Sequence, residues 1–161
     1  YRYKLVNDSL LEPVMKPHWD WSVQYVPRWL HPNTISLLGF LALFPSYILM
    51  IYYSVDMTEE VPGYVTILGV LGVYLFQFLD NLDGRQARRL GVASCAGDFL
   101  DHSLDILSLN VCAPLLCTAF AAGPNLLVVL GFMCPAATHY FTFWDRFHTR
   151  EIYLGPVSMT E

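Results

Sequence analysis

Charge is scarce in this chain. Only 14% of its 161 residues are Asp, Glu, Lys or Arg, against 55% hydrophobic, and the mean hydropathy is +0.40. An average soluble domain carries about 25% charged residues. The deficit excludes a disordered segment, which stays solvated through low hydrophobicity and high charge. It is also too deep for a core wrapped in an ordinary hydrated surface, so a membrane protein is the starting point. The net charge of -5 and pI near 5.4 leave no basic footprint, so no nucleic-acid partner is expected. Cysteine is sparse too: Cys95, Cys112, Cys117 and Cys134 form no CxxC pair and no Cys/His cluster at zinc spacing. Three of them lie in apolar runs and read as small hydrophobes. The polar, aromatic start Tyr1-Arg2-Tyr3-Lys4 is not a secretory signal, and the chain does not begin with Met, so it reads as an excerpt of a longer protein.

What is abundant is uncharged apolar sequence. Residues 34–53 carry no charge. At about 1.5 Å per residue such a run spans roughly the 30 Å of a bilayer core. Pro45 is expected to kink this helix without forbidding it. Further spans are expected at about 62–83, 96–122 and 125–144, with an acidic loop at 54–61 and a turn at Gly123-Pro124-Asn125. Residues 1–33 are rich in Trp, Tyr and Pro. Their stretch Trp19 to Leu30 alternates apolar and polar side chains and predicts a short amphipathic helix at the membrane interface. The expected fold is therefore all-α. It is a polytopic transmembrane bundle of four membrane helices (34–144), preceded by an interfacial segment (1–33) and followed by a cytoplasmic stretch (145–161) leading to a further helix.

The basic residues orient it. Arg2, Lys4, Lys16 and Arg28 precede the first span, Arg85, Arg88 and Arg89 follow the second, and Arg146 and Arg150 follow the fourth. The loops after spans one and three have none. The positive-inside rule puts the N-terminus, the loop near 80–96 and the C-terminal end on the cytoplasmic side.

Acidic residues concentrate at that face. Five Asp fall within residues 80–105. Asp80 and Asp83 are three apart at the end of span two, and Asp101 and Asp105 four apart at the start of span three. Both spacings put the pair on one helix face. In a hairpin the four carboxylates converge, and they repel unless a cation sits among them. An all-oxygen set suits Mg²⁺, Mn²⁺ or Ca²⁺ better than zinc. Paired metals held this way serve phosphoryl transfer. Gly84 lets a ligand approach the backbone, and Arg88 and Arg89 offer forked donors to phosphate. The residues thus point to a metal-dependent enzyme handling a phosphate or diphosphate at the membrane surface; the competing class is an acid-lined transporter. His139 reads as a satisfied helix-interface histidine, and His18, His31 and His148 as interfacial residues.

The run from Asp80 to Asp105 resembles the signature D-x2-D-G-x2-A-R-x8-G-x3-D-x3-D of the CDP-alcohol phosphotransferase family. Asp80, Asp83, Gly84, Ala87, Arg88, Gly97, Asp101 and Asp105 fill its fixed positions without a gap. Pro17-His18-Trp19, the stretch Pro27 to Ser36, Gln86 to Arg89 and Asp101-His102 are similar to the eukaryotic choline/ethanolamine phosphotransferase branch. Asp98 and Ser103 depart from that branch, which has Glu and Gly there.

The resemblance implies that Asp80, Asp83 and Asp101 bind two divalent cations, Mg²⁺ or Mn²⁺. It implies that Asp105 also contributes to a metal and is the favoured general base, with His102 the alternative. Gly84, Ala87 and Arg88 would contact the CDP moiety, and Asn33 would lie near the nucleotide. The implied partners are CDP-choline or CDP-ethanolamine, diacylglycerol and the bilayer, with CMP released; a homodimer through the membrane helices is a further expectation. The implied setting is the endoplasmic reticulum or Golgi, with the site facing the cytoplasm. Members have more membrane helices than these four, which implies an N-terminal catalytic portion. The alternative within the same chemistry is a phosphatidyltransferase that uses CDP-diacylglycerol and a soluble alcohol.

Overall fold

The computed structural model describes residues 4–7, 12–149 and 151–154. Two short strands, β1 (Lys4–Asn7) and β2 (Glu151–Leu154), pair in parallel, Lys4 opposite Glu151. The described residues between them form α1 (Glu12–Ser22), a 3-10 turn (Val23–Tyr25), α2 (Pro32–Leu41), α3 (Phe44–Tyr53), α4 (Gly63–Leu90), α5 (Cys95–Ala119) and α6 (Leu126–Thr149). Among the described residues, four helical segments are long and apolar enough to cross a membrane: Pro32–Tyr53, Gly63–Leu90, Cys95–Ala119 and Leu126–Thr149. This is the all-α polytopic bundle that the hydropathy pattern predicts, with one strand ladder added that no sequence pattern indicated.

One local expectation is corrected and another is borne out. The helix predicted from Trp19 to Leu30 lies earlier, at Glu12–Ser22. Pro13 falls in its first turn, where no backbone donor is needed. Pro27 ends the helical stretch, because a residue before proline is driven extended; Val26 has φ -69° and ψ 124°. The kink predicted at Pro45 is present as a two-residue interruption at Ala42 and Leu43, which keep helical dihedrals, so Pro32–Tyr53 remains one candidate span. Pro45 has no N–H to donate to Leu41, four residues back. Helix α4 backs into the interruption through Gly72, where a Cβ would stand 2.8 Å from the Ala42 carbonyl oxygen.

Leu43, Met50, Val65, Val111 and Leu115 form the buried core and join α3, α4 and α5. Outward faces carry exposed Leu, Ile, Val and Phe, as a hydrocarbon solvent permits. At roughly 42 Å, α4 exceeds the bilayer core. Asp80 and Asp83 lie in its C-terminal half.

Candidate active site

Helix α4 ends at Gly91, whose left-handed φ of 70° turns the chain and lets Val92 N–H donate to the Ala87 carbonyl. Three residues later Ser94 caps α5 by accepting from Gly97 N–H at 3.1 Å. This tight connection sets the acidic end of α4 beside the acidic start of α5. Asp80, Asp101 and Asp105 each present a carboxylate oxygen within 4.8 Å of the other two. Two like charges about 4 Å apart repel by roughly 4 kcal/mol near a protein surface. The cluster is thus electrostatically incomplete by itself. Its donors are all carboxylate oxygens, so a hard divalent cation fits it.

Asp83, the fourth acid, is 4% exposed and accepts a hydrogen bond from Ser36 Oγ on α2. Ser36 was not among the expected site residues. It lies three residues beyond Asn33 on the same helix face, which is the signal that marks it. A cleft of about 270 Å³ opens over this floor. Asn33, Asp80, Asp83, Gly84, Ala87, Arg88, Asp101 and His102 all line it. Asp105 does not line the cleft; it sits a turn further along α5, against Asp80 and Asp101. Gly97 lets α5 come close to α2, since a Cβ there would be 3.2 Å from Asn33 Oδ1. A Cβ on Gly84 would lie 3.6 Å from Arg88 Nη1, so the glycine leaves room beside that guanidinium.

The three arginines of α4 divide their work. Arg89 donates through Nη1 to the carbonyls of Val23 (2.7 Å) and Val26 (2.9 Å). It therefore ties down the N-terminal segment and is not a forked phosphate donor, because its guanidinium faces that backbone and does not line the cleft. Gln86, fully buried, donates to the carbonyls of Pro27 and Leu30 and does the same job. Arg85 pairs with Asp20 at 3.2 Å and donates to the Asn81 carbonyl at 3.0 Å. Arg88 is exposed at the cleft and has no hydrogen-bond or ion-pair partner among the described residues.

His102 joins α5 to α6. Its Nδ1 is 3.3 Å from Asp105 Oδ2 and its Nε2 is 3.4 Å from Asp98 Oδ1. Arg146 on α6, 3% exposed, donates through Nη2 to Asp98 Oδ2 at 2.6 Å and through Nη1 to His102 Nε2 at 3.2 Å. Sequence reasoning did not include Asp98 or Arg146 in the site. The i,i+4 spacing of Asp98 and His102 was a visible signal; the reach of Arg146 from another helix was not. His139 is buried as expected for an interface histidine, but its Nε2 has no hydrogen-bond partner among the described residues, so it is not a satisfied one.

The family model for CDP-alcohol phosphatidyltransferase matches residues 29–157. The chain is 33% identical over its whole length to cholinephosphotransferase 1 of Danio rerio, covering 42% of that protein. It is 35% identical to cholinephosphotransferase 1 of Gallus gallus, again over the whole chain and 48% of the relative. It is 27% identical to choline/ethanolaminephosphotransferase 1 of Saccharomyces cerevisiae, over 98% of the chain and 41% of the relative. The chain thus spans less than half the length of the curated relatives it matches.

Proposed function

The chain belongs to the CDP-alcohol phosphatidyltransferase family, and from that premise we propose that it carries the nucleotide- and metal-binding part of an integral-membrane aminoalcohol phosphotransferase. The reaction moves phosphocholine or phosphoethanolamine from its CDP ester to the free hydroxyl of diacylglycerol and releases CMP. The single observation behind this reading is the convergence of Asp80, Asp101 and Asp105 beneath a cleft that Asn33 and Arg88 also line. The relatives' names favour choline as the alcohol.

Asp80, Asp83, Asp101 and Asp105 would hold Mg²⁺ or Mn²⁺, two ions per site. When bound, the metal neutralises diphosphate charge and stabilises the attacking and leaving oxygens. Ser36 fixes the carboxylate of Asp83. Arg88 pairs with a phosphate oxygen that the small Gly84 leaves room to approach. Asn33 and Ala87 border the cytidine side of the cleft. Asp105 takes the acceptor hydroxyl proton, with His102 beside it as the alternative base, a role worth about 10²–10⁴-fold in rate. The nucleotide arrives from the cytoplasmic face and the lipid laterally from the bilayer of the endoplasmic reticulum or Golgi. The outer apolar faces suit packing against the remaining helices and a second copy.

A CDP-diacylglycerol donor with a phosphorylated soluble acceptor would need further cations for the acceptor phosphate. Arg85 and Arg89 are committed to Asp20 and to backbone carbonyls, which weighs against it. The test uses the full-length protein in lipid nanodiscs with Mg²⁺, diacylglycerol and labelled donors. Phospholipid and CMP are expected from CDP-choline or CDP-ethanolamine. Product only from CDP-diacylglycerol plus an alcohol would overturn the reading.

A further inference from the structure

His139 on α6 faces His102 and Asp105 on α5, and one donor atom from each lies within 4.8 Å of the other two. The phosphotransfer chemistry makes no use of His139. Its side chain is 7% exposed, and Nε2 is buried without a hydrogen-bond partner among the described residues. Buried polar atoms almost always have a partner, because a bare one forfeits its hydration without return.

Two imidazoles and one carboxylate are a different donor set from the carboxylate cluster next door. Imidazole nitrogen suits zinc and the later transition metals, whereas Mg²⁺ takes oxygen. We propose that His102, His139 and Asp105 form a second metal site, of the zinc class, which shares Asp105 with the carboxylate cluster.

The spacing supports it. Two ligands on a tetrahedral ion with bonds near 2.1 Å stand about 3.4 Å apart. His102 Nδ1 and Asp105 Oδ2 are 3.3 Å apart, held there by their i,i+3 placement on α5. His139 offers the third donor from the neighbouring helix, within 4.8 Å of the other two. The outer contacts also fit. A metal on Nδ1 leaves the His102 proton on Nε2, and Asp98 Oδ1 stands 3.4 Å from that nitrogen. A carboxylate behind a metal-bound histidine is the usual device for fixing its ring and tautomer. Arg146 keeps Asp98 in place through Nη2 and gives up its Nη1 contact with Nε2.

One consequence rests on the phosphotransfer reading. Zinc at this site occupies both groups positioned to accept the hydroxyl proton, so Zn²⁺ inhibits even when Mg²⁺ saturates the carboxylate cluster. The binding itself does not depend on that reading.

The test measures zinc retained per chain by the full-length protein in nanodiscs, in excess Mg²⁺, over a Zn²⁺ series. Wild type is expected to retain one Zn²⁺. His139→Gln should bind it at least about 10-fold more weakly, while Asp80→Asn retains it. Three results would overturn the site: no retention against Mg²⁺, equal retention in His139→Gln, or loss in Asp80→Asn alone. If His139→Gln does not fold, Co²⁺ added to wild type decides. An intense visible band of a four- or five-coordinate ion supports the site, and a weak octahedral band overturns it. Zinc retention in a protein inactive with Mg²⁺ alone would count against the phosphotransfer reading and leave the zinc site standing.

Discussion

Ser36 on α2 donates its hydroxyl hydrogen to Oδ2 of Asp83 on α4, and both side chains are buried. The bond reaches across 47 residues of chain and fixes the acid of the four that is not a member of the close triad. Support of this kind behind a metal ligand is typically worth 10–100-fold in affinity or activity. Ser36→Ala should therefore raise the Mg²⁺ concentration needed for half-maximal activity about 10-fold or more, with Ser36→Thr close to wild type. Metal titration of the three proteins checks it, and an unchanged Mg²⁺ requirement in Ser36→Ala would remove the assigned role.

The repulsion within the carboxylate cluster has a sign that can be measured. Asp80→Asn or Asp101→Asn removes one of three mutually close charges. In EDTA each variant should melt at a higher temperature than wild type, because a destabilising repulsion is gone. Added Mg²⁺ should raise the wild-type melting temperature and barely move the variants. Thermal melts with and without Mg²⁺ read both effects.

Arg88 and Arg89 are adjacent, yet their substitutions should part company. Arg89→Ala frees carbonyls of Val23 and Val26 from a charged donor, a loss of about 1.5–3 kcal/mol per bond of that class. It should lower thermal stability and expose the N-terminal segment to limited proteolysis. Arg88→Ala should leave stability near wild type and weaken binding of the CDP ester. Parallel melts and CDP titrations separate the two.

Gly72 meets the α2–α3 interruption with no room for a methyl group, since its Cβ would lie 2.8 Å from a backbone oxygen that cannot rotate away. Gly72→Ala should cost about 1–3 kcal/mol of stability. Gly63→Ala is the control: nothing lies within 4 Å of a Cβ there. Melting temperatures of the two variants should differ clearly, Gly72→Ala lower.

The legible parts of this protein are those that helix periodicity encodes locally. Four apolar runs are read directly as spans. Asp80 and Asp83 share a face through i,i+3 and Asp101 and Asp105 through i,i+4, so their convergence needs only one tight turn between α4 and α5. What stayed hidden depends on which helix packs on which. Arg89 could not be told from Arg88 without knowing that backbone carbonyls of the N-terminal segment lie within its reach. Arg146 joins the site only because α6 lies against the start of α5. Helix α1 starts ahead of the alternating stretch because Pro13 occupies a first helical turn, where proline costs no hydrogen bond, and Pro17 is accommodated inside the helix.

Counting bound metal tests the central claim most directly. Mn²⁺ taken up by the full-length protein with CDP-choline present, followed by the loss of its free-ion electron paramagnetic resonance signal, should reach two ions per chain. Uptake should fall below one in Asp101→Asn, together with the loss of phospholipid formation. Undiminished Mn²⁺ uptake in Asp101→Asn and Asp80→Asn would contradict the claim that these carboxylates are the metal centre of a phosphotransferase.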